Sequence, residues 1–141
     1  MWEVLEPIER HVDWMADAAS IVFDGPSRRG PGTRFWCVTE VGPFRLIDHM
    51  EITAWEPPRS MGVRHTGVVR GDGVFRLEPL DGGRCTRFTW TERLRFPWYL
   101  AGSLGAFAAR PVLRWIWRRN LANLAHLVGD HLDLDGRPSG F

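Results

Sequence analysis

Up to residue 96 most of the chain alternates apolar and polar positions in short runs, each closed by turn-forming residues. The alternation predicts β-strands at Ser20–Asp24, Thr33–Val41, Phe44–Ala54, Ser60–Val69, Val74–Pro79 and Arg84–Phe96. The separators "GPSRRGPG", "GP", "WEPPR", "GDG" and "DGG" all suit turns. Ahead of the strands, "WEVLEPIERHVDWM" has helical spacing at Val4, Ile8 and Val12, and Pro7 divides it into two short helical pieces. From Pro97 to about His131 the period lengthens. Leu113, Ile116, Trp117, Leu121, Leu124, Leu127 and Val128 form one apolar stripe of a long helix, with a kink expected at Pro111. Short helices, an antiparallel meander and a long last helix predict an α+β fold, the helix packed on one face of a curved sheet. One domain is expected over residues 1–132, followed by a frayed tail at 133–141.

Parity then assigns faces, because successive strand residues point to opposite sides. In Ser60–Val69 the odd positions Met61, Val63, His65 and Val69 are the apolar set, and the even ones carry Arg64 and Thr66. In Phe44–Ala54 the even positions Leu46, Asp48, Met50, Ile52 and Ala54 face in, leaving His49 outside. Opposite parities pair when their numbers sum to about 115, which sets Met50 across from His65 and Asp48 on its diagonal. Phe35 and Cys37 face in from the strand before, and Glu40 lies opposite Arg45 across the "GP" turn. Phe75 and Leu77 face in from the fifth run, and Phe88, Trp90, Glu92, Leu94 and Phe96 from the sixth.

Eight tryptophans and eight phenylalanines in 141 residues argue for a well-filled interior, in a chain long enough to bury roughly 65–70% of its unfolded surface. A sheet closed by one helix leaves room among them for a cavity. The lining would be Phe35, Cys37, Met50, Ile52, Met61, Val63, Phe75, Leu77, Phe88, Trp90 and Glu92: apolar walls with a few placed polar groups, the composition of a ligand pocket. His65 and Asp48 are the candidate chemical pair within it. The plainer reading of an inward histidine beside an aspartate is a satisfied structural pair, and the aromatic lining reads equally as core.

Charge narrows the partners. A net charge of +1 gives no pull toward nucleic acid. No apolar run approaches the ~18 residues of a membrane span, since Arg110 interrupts the best candidate. Arg110, Arg114 and Arg118 form a stripe beside Trp115 and Trp117, read as a solvated helix face with the tryptophans against the sheet. Two cysteines far apart in sequence and no signal peptide predict a reduced, cytoplasmic protein. No metal and no cofactor are expected: His126 and His131 are spaced off a shared helix face, and "GDGVFR" lacks the third glycine and the βαβ setting of a dinucleotide site.

The order "WEVLEPIERHVDWM", "GPGTRFWC", "ITAWEPPRSMGV", "FRLEPLDGGRCTRFTWTERL" and a long C-terminal helix resembles the START-like helix-grip superfamily (SRPBCC), in its bacterial polyketide cyclase/dehydrase and lipid-transport branch. The resemblance covers about residues 2–130. It implies a curved antiparallel sheet wrapped around the last helix, enclosing an apolar tunnel that holds a lipid, polyketide or similar molecule. The family pattern also has a strand before the first helix, whereas this chain opens at Met1-Trp2, where that strand would have ended. The natural chain is therefore expected to extend upstream by about 15–25 residues. Without that strand, the edge of Arg84–Phe96 is open to pairing in a homodimer.

Three functions follow as expectations: binding of a small apolar or amphipathic molecule, lipid- or polyketide-like, in the interior; a cyclase or dehydratase in which His65 is general acid or base, oriented by Asp48, with an arginine at the mouth steadying an oxyanion; and a regulatory module contacting a protein through the sheet edge.

Overall fold

The computed structural model describes residues 1–97 and 102–134, with side chains over 1–97 and 110–130. The chain opens with a single helical turn, α1 (Trp2–Leu5), and a 3-10 segment at Ile8–Asp13, separated at Pro7 as its ring requires. Six strands follow: β1 (Ala18–Asp24), β2 (Arg34–Val41), β3 (Phe44–Glu56), β4 (Ser60–Thr66), β5 (Arg70–Leu80) and β6 (Cys85–Arg95). They form one antiparallel sheet in chain order, β1 at one edge and β6 at the other. The helix α2 (Gly102–Leu134) runs through Pro111 and continues into the stretch expected to be tail; residues 135–141 of that expectation lie outside the described residues. A curved antiparallel sheet with one long C-terminal helix is the helix-grip architecture.

The parity argument holds through the centre of the sheet. Met50 pairs with His65 and Ile52 with Val63, both sums equal to 115. Glu40 pairs with Arg45, and their charged groups lie 3.5 Å apart. Beyond Ile52 the register shifts by one at a bulge, so the inward face expected to continue at Ala54 passes to Trp55. Trp55 packs on the core, its ring edge-on to Trp2 at 5.7 Å between centroids.

One turn is displaced from its expected place. "GDG" lies inside β5, and the chain reverses at Gly67–Val69 instead. The glycines serve close approach rather than turning: a β carbon at Gly71 would stand 2.0 Å from the Arg93 carbonyl oxygen of β6.

Two apolar clusters fill the concave side. Leu124 of α2 meets Val4, Leu5, Trp14 and Leu77, while Ile8 packs with Phe35, Ile52 and Met61. Trp14, Phe75 and Trp90 meet tilted or edge-on at 5.3 to 6.0 Å between centroids, and Trp117 of α2 reaches Trp90 at 6.3 Å. The helix is also tied by Asn120, fully buried, whose Oδ1 accepts from the Ala16 amide and whose Nδ2 donates to Asp17, both at 2.8 Å. Leu121, assigned to the buried stripe, is 42% exposed instead. The arginine-flanked tryptophans divide: Trp117 faces the sheet, but Trp115 is 58% exposed under the Arg119 guanidinium.

Candidate functional site

Two neighbouring strands bring His65 and Asp48 together. Asp48 of β3 sits across from Cys37 of β2 and one step diagonally from His65 of β4. Both side chains are buried, and His65 Nδ1 meets Asp48 Oδ2 at 2.5 Å, a short charge-assisted hydrogen bond. His49, on the same strand as Asp48 but of opposite parity, lies on the outer face against Trp36, 5.3 Å between ring centroids.

β6 adds a second carboxylate on the other side of the ring. Glu92 Oε2 lies 3.3 Å from His65 Nε2, close enough for attraction but not aligned as a hydrogen bond. Its other oxygen, Oε1, accepts from Trp90 Nε1 at 2.8 Å. Glu92 reaches this place because the facing residue is Gly73, where a β carbon would come within 2.7 Å of Oε1. Burial by itself would lower the affinity of His65 for a proton. The hydrogen bond that His65 donates to Asp48 and its interactions with both carboxylates reverse that and raise its pKa to about 9. At neutral pH the ring is therefore an imidazolium with a proton on each nitrogen, Nδ1–H donating to Asp48 and Nε2–H without a hydrogen-bond acceptor, flanked by two carboxylates.

This trio lines a pocket of about 200 Å3, where His11, Asp17 and Thr39 supply the other polar side chains of the wall. Of the residues assigned to a lining from sequence, Phe35, Cys37, Met50, Ile52, Met61, Val63, Phe75, Trp90 and Glu92 reach it, together with Asp48 and His65. Leu77 and Phe88 do not. They share the inward parity but lie further along β5 and β6, where Leu77 is part of the core cluster around Leu124 and Phe88 packs against it. Leu46, Val69, Leu94 and Phe96, also of inward parity, line it as well. Elements whose faces the strand parity could not assign add Ile8, His11 and Met15 from the N-terminal segment, Ala18 and Ile21 from β1, and Leu113 and Trp117 from α2.

His11 carried no sequence signal. Its Nε2 donates to the Leu5 carbonyl at 2.7 Å, and burial holds its pKa down at about 4, so it lines the pocket as a neutral ring. Cys37 is no nucleophile at neutral pH, because burial pushes its thiol up to about 11. No arginine lines the pocket among the described residues; Arg70, Arg93 and Arg95 border an adjoining groove that shares Phe96 with it. The arginine expected to steady an oxyanion is thus missing from the described wall, since Arg93 and Arg95 have the outward parity of β6.

A family model described as polyketide cyclase / dehydrase and lipid transport matches residues 1–129 of the 141. The chain belongs to this family. Among curated proteins no match is found. Membership in the polyketide cyclase/dehydrase and lipid transport family agrees with the helix-grip architecture and points to hydrophobic ligands as a class. Among the described residues no helix is long and apolar enough to cross a membrane, and no cluster of three or more potential ligands could hold a metal ion.

Proposed function

We propose that the protein binds an apolar or amphipathic small molecule, lipid- or polyketide-like, in the pocket between the sheet, the N-terminal segment and α2. One observation carries this reading: the pocket has mostly apolar walls, with the polar group of His65, Asp48 and Glu92 set together among them. Its volume of about 200 Å3 sets the scale of the occupant. That exceeds the ~150 Å3 that holds a benzene ring and falls short of the ~300 Å3 of drug-sized sites. The pocket suits a compact ring system or the end of a longer molecule. The compartment proposed is the cytoplasm, in keeping with two free cysteines, one of them exposed. Native mass spectrometry of the purified protein tests the binding reading. A retained small molecule, lost on denaturation and displaced by apolar competitors, is the expected result; a protein that carries none and takes up none refutes it.

A second reading, dehydration or cyclisation, draws support from the buried His65–Asp48 bond facing the pocket. With its proton held well above neutral pH, His65 would serve as general acid and not as base. It gives its proton to the departing hydroxyl, which leaves as water, while the α-proton passes to the Glu92 carboxylate and the C–H electron pair forms the new double bond. Turnover of a β-hydroxy ketone, lost in His65→Gln, would distinguish it from binding alone.

A further inference from the structure

The polar group in the pocket holds buried atoms that the protein leaves without hydrogen-bond partners. His65 Nε2 and Glu92 Oε2 stand 3.3 Å apart, and neither is satisfied by the other or by any neighbour. Leaving buried polar atoms unpaired is costly, so the site favours an occupant that carries a complementary group. The two atoms make opposite demands. Nε2–H donates, and the Glu92 carboxylate oxygen accepts.

We propose that this part of the pocket recognises the hydroxyl of an uncharged alcohol or phenol, which accepts from His65 Nε2 and donates to Glu92 Oε2. Deepening the binding reading above, it rests on that reading and names the head group. The alternatives fit less well. A carboxylate head can accept from His65 but meets Glu92 as a like charge, with Asp48 close behind the ring. An ammonium can donate to Glu92 but has nothing to offer Nε2–H and is repelled by the imidazolium. A purely apolar group leaves both atoms unpaired. The site is fixed in place, since Asp48 grips the far side of the ring at 2.5 Å and Trp90 grips the other Glu92 oxygen at 2.8 Å. Selectivity should therefore be steep, as it is wherever a preset polar pair is left empty by the wrong ligand.

Three probes of similar size that fit the pocket test this: 4-ethylphenol, propylbenzene and 4-ethylbenzoate, titrated calorimetrically at pH 7 into the wild-type chain. The phenol is expected to bind about tenfold or more tightly than propylbenzene, the factor of one well-formed hydrogen bond to a charged group. The benzoate is expected to bind more weakly than both. Glu92→Gln, whose amide oxygen can still accept from Trp90, should narrow the gap between phenol and benzoate by about tenfold, and its melting curve reports whether it folds. Propylbenzene binding as well as the phenol, or benzoate binding best, overturns the hydroxyl assignment while leaving the pocket's ligand-binding role intact. Failure of all three probes to bind overturns that role and the assignment with it. The wild-type ranking decides the matter even if Glu92→Gln does not fold.

Discussion

His65 is placed inside by a single residue of register, and its substitution should show it. His65→Ala leaves Asp48 and Glu92 as buried carboxylates without their cation, a loss expected to cost about 3–5 kcal/mol and to abolish ligand binding. His49→Ala, on the outer face, should cost less than about 1 kcal/mol and leave binding unchanged. Urea unfolding of the two variants measures both, and equal losses would contradict the register. Proton linkage gives a second check. The folded-state pKa of His65, about 9, lies above the unfolded value of 6.5, so its contribution is complete below pH 6.5 and fades as pH rises through 9. His11 acts at the other end. Its folded pKa of about 4 lies below 6.5, so the unfolded state gains a proton first and stability falls as pH drops from 6.5 toward 4. Melting temperatures across pH 4–10 should therefore peak near 6.5, with His65→Gln flattening the alkaline side and His11→Gln the acidic side. An alkaline side as steep in His65→Gln as in the wild type would remove His65 from the linkage.

Strands were legible where their pattern was regular, and lost where a side chain from elsewhere decides. The pairing of Met50 with His65 follows from parity alone. The bulge after Ile52 does not, because it is tied to Trp55 meeting Trp2, a contact between distant parts of the chain. On α2 the apolar stripe was right at Ile116 and Leu124 but wrong at Leu121, where the adjacent Asn120 takes the buried place to bond Ala16 and Asp17, over a hundred positions back. No local signal marks an asparagine for that role. Asn120→Leu should accordingly destabilise by about 2–3 kcal/mol although it adds apolar surface, since it removes two part-buried hydrogen bonds, one of them to a carboxylate; a stabilised variant in a thermal melt would contradict this. β5 offers a cleaner contrast. Phe75 lines the pocket and Leu77 is core, two residues apart on one face. Leu77→Ala should cost about 2–5 kcal/mol with ligand binding intact, and Phe75→Ala should alter binding affinity as well. Calorimetric titration alongside unfolding separates the two, and unchanged binding in Phe75→Ala would take it out of the pocket.

Taken whole, the sheet ends in an edge whose pairing can be tested. Among the described residues no strand pairs with the outer side of β6, which runs for 11 residues from Cys85 to Arg95. Its unpaired amides and carbonyls are a template for a second copy, so we expect homodimers joined β6 to β6. Charge opposes this. An antiparallel pair centred on Trp90 sets Arg87 of one copy opposite Arg93 of the other, twice, and like charges directly across a ladder destabilise it. Arg87 is partly neutralised by Glu78 at 3.5 Å, which leaves Arg93 as the main obstacle. The balance predicts a weak dimer that tightens with salt, because screening over ~8 Å at physiological ionic strength removes the repulsion but not the backbone hydrogen bonds. Arg93→Glu turns both repulsive contacts into attractive ones and should tighten the dimer most at low salt, reversing the salt dependence. Sedimentation velocity at several salt concentrations reads both effects. A variant and wild type that both stay monomeric at every concentration would show that β6 does not pair with its copy, and a dimer indifferent to Arg93→Glu would place the interface elsewhere.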